Sequence, residues 1–194
     1  MKKILFISSR PIYPIFGGDQ IRTAQQLDFL LQRYSVDIVY LSEKKHEQIR
    51  ISDVQPGVGN VVRFYIPKIK FFLQTLGFFF NKLPLQVNYF YNNKVQNYIS
   101  SVLRNYDAVF CNNIRTAEYV IKEKGIVKYM DFVDAVSMNY DKAKYHAWGI
   151  KKIIYSIDSK RCIDYEQHIL RTFDRCAIIS DVDKDFIQCH RKYM

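Results

Sequence analysis

The chain has 194 residues, enough for one domain with a sizeable core. Hydrophobic content of 48% and charged content of 25% exclude a disordered chain. Basic residues outnumber acidic ones by 29 to 19, and the resulting +10 favours an anionic partner; with no arginine-rich run or nucleic-acid motif, that partner is read as phosphate or membrane surface, not nucleic acid.

Residues 2–8 hold the unbroken run Ile4-Leu5-Phe6-Ile7, as in a strand covered on both faces of a parallel sheet. Pro11 and Pro14 interrupt regular structure. Gly17-Gly18 then permit backbone shapes other residues resist, and Asp19 stands where a helix N-cap would be. Behind it Ile21, Ala24, Leu27, Leu31 and Tyr34 recur at helical spacing. A glycine turn feeding a helix after a first parallel strand suits phosphate, because free amides and the positive helix end face the ligand. Neither GxGxxG nor a Walker loop is present, so a tight turn without a ligand is the competing reading.

A second strand follows at 36–42 (VDIVYLS), then a polar stretch over 43–53 expected to be helical. A turn at 55–60 leads to a third strand, 61–67 (VVRFYIP). In residues 68–91, Phe71, Phe72, Leu76 and Phe79 or Phe80 can share a helix face flanked by Lys68, Lys70 and Lys82. That pattern fits a core helix or an interfacial membrane helix, the latter making Lys70, Phe71, Phe72 and Phe79 lipid contacts. An amphipathic helix spans 92–106, with Val95, Ile99, Val102 and Leu103 inward.

The fourth strand is 107–112 (DAVFCN), followed by a helix over 113–124 that Gly125 ends. The fifth is 127–134 (VKYMDFVD), followed by a tyrosine-rich loop to Trp148, which is a core aromatic or a sugar-stacking one. A long helix, 151–173, turns Ile154, Ile157, Cys162, Tyr165, Ile169 and Phe173 inward. A sixth strand (176–181) and a last helix (183–194) complete the chain. Strands alternating with helices predict an α/β fold: a Rossmann-like, doubly wound parallel sheet with helices on both faces. Gly17-Gly18, Asn112-Asn113-Arg115, 131–137 and Ser180-Asp181 then fall together on the rim of strand carboxyl ends.

Cys111, Cys162, Cys176 and Cys189 form no CxxC pair, and a zinc site from the last three with His190 fits no usual spacing. Reduced thiols of a cytoplasmic protein are expected. Lys2-Lys3 precede too short an apolar run for a signal peptide, and no run approaches the roughly 20 residues of a membrane span. His46, His146, His168 and His190 have no partner pattern.

The opening KKILFISSRP…FGGDQIR, the mid-chain YDAVFCNN-IRTAEYV, the loop VKYMDFVDAVS and the closing YEQHILRTFDRCAIISDVDKDFI together resemble the N-terminal domain of a GT-B glycosyltransferase. The family is the large retaining one that builds bacterial surface polysaccharides. The resemblance covers residues 1–194 and implies the acceptor-side half of an enzyme with two Rossmann-like lobes. It implies a nucleotide-sugar donor as substrate, no cofactor or metal, and a saccharide acceptor. If the aromatics of residues 68–91 emerge from the fold, a lipid-linked acceptor and peripheral contact at the inner membrane face follow, in keeping with the +10 charge. Gly17 and Gly18 would lie against the donor diphosphate, with Asp19 and Arg22 nearby. Many relatives carry a histidine after the fifth strand; here Asp131 and Asp134 occupy that region.

Asp134 is the first choice for a chemical role, since a carboxylate in a polar cleft can take or direct an acceptor hydroxyl's proton. Holding its loop is the alternative. Asp131 lies inside the strand and reads as structural. Arg115 can grip a phosphate or anionic sugar bidentately, or form a surface ion pair. Glu166 matches an acid of the family's last long helix, where an ion pair is expected. The family's donor-binding half is absent from these residues, so the chain alone is expected to be inactive. A non-catalytic module recruiting a partner to membranes is the alternative function.

Overall fold

Burial on both faces makes β1 (Lys3–Ser8) the centre of the sheet: Ile4 and Phe6 pack to one side, Leu5 and Ile7 to the other. The computed structural model describes residues 1–46 and 51–189. His190, the end of the expected last helix and residues 47–50 lie outside the described residues. After β1 come α1 (Gly18–Leu31), β2 (Ser35–Ser42), α2 (Ile51–Val54), β3 (Val58–Tyr65) and α3 (Lys68–Gln74). A 3-10 turn (Thr75–Phe79), α4 (Leu85–Phe90), α5 (Asn93–Val102), a further 3-10 turn (Leu103–Asn105) and β4 (Ala108–Asn112) follow. A third 3-10 segment (Ile114–Tyr119), β5 (Val127–Asp131), α6 (Val136–His146), α7 (Ile150–Thr172), β6 (Arg175–Ala177) and α8 (Asp181–Cys189) complete the order.

The sheet order is β3-β2-β1-β4-β5-β6 and every pairing is parallel. This is the doubly wound order in which the winding reverses beside β1, opening a crevice at the strand carboxyl ends. Register lines those ends up: Ser8 stands opposite Tyr40 and Asn112, and Asn112 opposite Asp131. One core lies under α1, from Phe6, Leu27, Ile38 and their neighbours. The other lies under the later helices, built on Ile7, Val39, Val109 and Met130.

Several expectations change. The N-cap of α1 is Gly17, and Asp19 pairs with Arg10 instead. The inward face of α1 is Thr23, Ala24, Leu27 and Leu30, leaving Ile21 exposed. The expected helix over 113–124 is a 3-10 segment whose Ile114, Thr116, Ala117 and Tyr119 are all buried. Thr116 Oγ1 donates back to the Asn112 and Asn113 carbonyls, holding the chain in a tight turn. Phe71 is a core residue, not a lipid contact, because its ring stacks on Tyr89 at 4.9 Å and meets Phe90 at 5.5 Å. Trp148 is 89% exposed, outside any core.

The expected tyrosine-rich loop contains α6. Little but its first turn is buried, and its stability comes from α7, which turns Asp158, Ser159, Cys162, Tyr165 and Glu166 inward in place of Ile157. Glu166 makes no ion pair. It accepts the amide of Ser137 at 3.1 Å and the Ser137 hydroxyl, satisfying donors at the α6 N-terminus that helical bonding leaves free. A second fastening joins α1 to β5: Arg22 grips fully buried Asp131 through Nε and Nη2 at 2.9 and 2.8 Å, and Gln26 adds a bond at 2.6 Å.

Removing one partner of a buried pair leaves an uncompensated charge. Arg22→Ala is therefore expected to lower unfolding free energy by about 3 kcal/mol, read from urea titrations; a loss within error of zero refutes the fastening. Burial pushes the Glu166 carboxyl up to about 7, against the Ser137 hydrogen bonds that favour its charged form. Burial likewise pushes Asp158 up to about 6. Both folded values exceed the unfolded carboxyl value of about 4. Their contribution is complete below that value and is lost as pH rises through 6 to 7. Glu166→Gln keeps the uncharged bonding pattern, so it should flatten part of this decline in urea midpoints between pH 4 and 8, and adding Asp158→Asn should flatten most of the rest.

Candidate functional site

A cleft of about 360 Å³ opens at the carboxyl ends of β1 and β2. The loop leaving β1 supplies Arg10, Pro11 and Phe16, and the end of β2 supplies Leu41 and Lys44. Phe71 and Phe90 form its apolar wall. Arg115 enters from the segment after β4, so the cleft spans the point where the winding reverses. Its Nε donates to Gln86 Oε1 at 2.7 Å, and its guanidinium lies over the Phe90 ring at 5.1 Å. Among the described residues no carboxylate pairs with it. Desolvation, then the charge of Arg10, lowers the Arg115 pKa, and Asp134 and Tyr140 offset part of that effect. Gln86 also donates to the Tyr140 hydroxyl at 3.4 Å. Glu43 also lines the cleft and accepts the Tyr89 hydroxyl at 2.7 Å, while Arg10 is paired with Asp19. With Arg115 and Lys44 the basic groups still outnumber the acid, and with its greasy wall the pocket suits an anion carrying an apolar or sugar-like body.

The chain leaving β5 borders the same rim. Asp134 N donates to the Phe132 carbonyl at 2.8 Å, making a tight turn around Val133 at φ 66°. A β-branched residue rarely adopts that conformation, and such strain persists only where neighbours over-determine it. Here they do: Ile179 N donates to the Val133 carbonyl at 3.2 Å, Ala135 N to Asp183 Oδ1 at 3.1 Å, and Ser137 to Glu166. Asp134 itself is half-buried and accepts from Asn139 Nδ2 at 2.7 Å. On the neighbouring strand end Asn113, at φ 68° and ψ 151°, occupies a region almost reserved for glycine. Its amide donates to the Asp131 carbonyl at 2.7 Å, and its Oδ1 accepts the Arg115 amide at 3.3 Å. Asn113 thus ties the ends of β4 and β5 and aims the segment that carries Arg115.

The expected site residues divide. Arg115 lines the cleft, Asp134 does not line it but its charge acts on Arg115, and Asp19 reaches it through Arg10. Gly17 is extended, at φ −153°, and a side chain at Gly18 would meet open space. Neither glycine is required by the backbone, yet their bareness leaves the start of α1 accessible. Arg22 and Asp131 are occupied with each other. Arg22 borders a different groove, of about 500 Å³, between α1 and the open face of β4 and β5, where Phe29, Phe110 and Tyr129 dominate. Sequence reading missed Arg10, Lys44, Gln86 and Tyr140. Only Arg10 carried a signal, two residues past the end of β1. Among the described residues no three His, Cys, Asp or Glu form a metal-binding group. Cys162 is buried, whereas Cys176 and Cys189 are exposed free thiols.

No family pattern and no curated protein sequence matches the chain. Among solved structures it is similar to UGT2 of Phytolacca americana complexed with UDP-2-fluoroglucose and pterostilbene. That match has a TM-score of 0.51 at 8% identity and covers 95% of this chain and 49% of that one. The same protein without ligand gives a TM-score of 0.46 at 9% identity, over 95% and 47% of the two chains. An NADH-dependent reductase complexed with NAD gives 0.43 at 12% identity, over 92% and 77%. The chain spans about half the length of the plant protein. Its fold is a single α/β, Rossmann-like domain with a parallel sheet of six strands, and its structural neighbours include GT-B glycosyltransferases.

Proposed function

We propose that the chain is the acceptor-side half of a glycosyltransferase in surface-polysaccharide synthesis. The enzyme moves a sugar from a nucleotide-sugar to a saccharide or lipid-linked acceptor, and a donor-binding lobe completes the cleft. One observation carries this reading: Arg115, a half-buried guanidinium without a carboxylate partner among the described residues, faces a cleft at the winding reversal, and the charge of Asp134 acts on it. The UDP-sugar bound by the plant neighbour adds support at the level of fold.

In this reading Arg115, Arg10 and Lys44 hold an anionic portion of the acceptor, and Phe71 and Phe90 pack against its apolar body. The start of α1 at Gly17 and Gly18 faces the donor diphosphate, whose charge the helix end and basic side chains neutralise without a metal. Asp134 directs the acceptor hydroxyl toward the sugar and accepts its hydrogen bond. Arg22 and Asp131 act at one remove, by fixing α1 against β5. Asn113 sets the approach of Arg115.

The test is transfer from a panel of nucleotide-sugars by the product of the complete gene. Asp134→Asn should lower turnover by roughly a hundredfold or more with an unchanged urea midpoint, because Asp134 carries no buried fastening. Arg115→Gln should raise the acceptor KM more than it lowers kcat, as loss of uniform binding does. Absence of transfer with every donor, or Asp134→Asn turnover equal to the parent's, overturns the assignment.

A further inference from the structure

Two exposed apolar surfaces are joined along α7, and both are set among lysines. The first belongs to α3 and the turn after it: Ile69, Phe72, Leu73, Leu76, Phe79 and Phe80 face solvent, Phe79 at 73% and Phe80 at 89% exposure. Lys68, Lys70 and Lys82 surround them, all exposed. The second is the tip of the α6–α7 hairpin, where Trp148 is 89% and Ile150 75% exposed, with Ile153 close behind and Lys151 and Lys152 between them. At 1.5 Å per residue, the 11 residues of α6 carry this tip about 16 Å from the strand ends where the helix begins.

Contacts along α7 join the two surfaces. Ile150, Ile153, Ile157 and Arg161 recur at spacings that place them on one helix face. Arg161 donates to the Phe78 carbonyl at 2.7 Å, and its guanidinium lies over the Phe78 ring at 4.0 Å. The Phe79 ring meets Phe78 edge-on at 5.7 Å. The isoleucine stripe therefore runs from the Trp148 tip up to the phenylalanine patch. Single exposed apolar residues are ordinary, but a run of this extent marks an interaction surface.

The charge around it selects the partner. Residues 54–106 contain no Asp or Glu and six Lys or Arg, and residues 142–157 contain no Asp or Glu and four Lys. Aromatic and aliphatic side chains ringed by lysines without compensating acids match the boundary of an anionic bilayer, with rings among the acyl chains and ammonium groups at the headgroups. We propose that these two surfaces form one peripheral membrane-docking face, with Trp148 and Phe79-Phe80 as its anchors and an anionic lipid bilayer as its partner. Phe71 is on α3 with the patch and also lines the cleft, so the docking face and the cleft share one short helix. The face stands independently of the sugar-transfer reading.

Trp148 is the single tryptophan, so its fluorescence reports this face alone. On phosphatidylcholine vesicles containing phosphatidylglycerol, the chain should float with the lipid. Its emission should shift to shorter wavelength, and acrylamide quenching should fall severalfold. On phosphatidylcholine alone the shift should be much smaller. Phe79→Ser with Phe80→Ser should weaken partition roughly tenfold or more. Lys151→Gln with Lys152→Gln should weaken it on anionic vesicles by about fivefold per lysine. All four positions are exposed, so thermal unfolding should stay at the parent value. The proposal is overturned if emission and flotation do not respond to anionic vesicles, or if both double variants bind as the parent does. A Trp148 shift appearing without lipid as protein concentration rises, with a dimer in sedimentation, overturns it in favour of self-association. None of these measurements involves a sugar, so a chain that floats but transfers nothing loses the enzymatic reading and keeps this one.

Discussion

Three buried carboxylates hold the chain that leaves β5, and the rim is shaped by what they hold. Asp131 is locked to Arg22 and Gln26 beneath the turn, Glu166 takes the amide and hydroxyl of Ser137, and Asp183 takes the amide of Ala135. Between these anchors the backbone has little freedom, which is how Val133 is kept at a positive φ that an unconstrained valine would leave. The turn's consequence is to present Asp134 at the rim, where among the described residues Asn139 is its one side-chain partner. Rigid supports and an acid held by one side-chain amide suit the role proposed for Asp134. Among the described residues the Asp134 carboxylate accepts from a side-chain amide, and that of Asp183 from the backbone.

The same contrast separates the two arginines at this end of the sheet. Arg22 has its full bidentate partner, so its charge is spent within the fold. Arg115 is drawn into a partly dry pocket where, among the described residues, its direct contacts are a neutral amide and an aromatic face, and the charge of Asp134 offsets only part of the desolvation. Desolvating a guanidinium without a counter-charge is unfavourable. Arg10 raises that cost by adding like charge, as the lowered Arg115 pKa records. An anion entering the cleft relieves both. The strained Asn113, whose side chain receives the Arg115 amide, holds the arginine in that uncomfortable position before any ligand arrives.

Much of this was legible from apolar periodicity. The runs 4–7, 36–41 and 108–111 are strands because residues buried on both sides leave a continuous signal, and the parallel order follows from their alternation with helices. Positions of Asp134 and Arg115 at strand ends were readable for the same reason. α6 was not, since its core contacts are one short turn and its partner face on α7 is polar, with Glu166 and Asp158 where apolar residues were expected. The 3-10 segment after β4 reads as a helix in sequence because its buried residues recur at three and four, a spacing both structures share. Phe71 and Phe72 illustrate the limit: adjacent and chemically identical, they part into core and solvent because Tyr89 stacks on Phe71 and only meets Phe72 edge-on, while Phe90 packs on Phe71, and both partners lie almost twenty residues on.

That parting has a functional side. A helix as short as α3 gains little from its own backbone, so it is held by the burial of Phe71 against the α4 aromatics. Phe72 and the apolar residues after it contribute nothing comparable to the fold and raise the risk of aggregation. Their retention in an acid-free stretch is economical only if something outside the chain covers them. The cleft wall and the exposed patch are thus two faces of one small element: what steadies the first presents the second. A ligand whose apolar portion lies in a bilayer and whose anionic portion reaches Arg115 would touch both, a geometry that a freely diffusing sugar acceptor does not require.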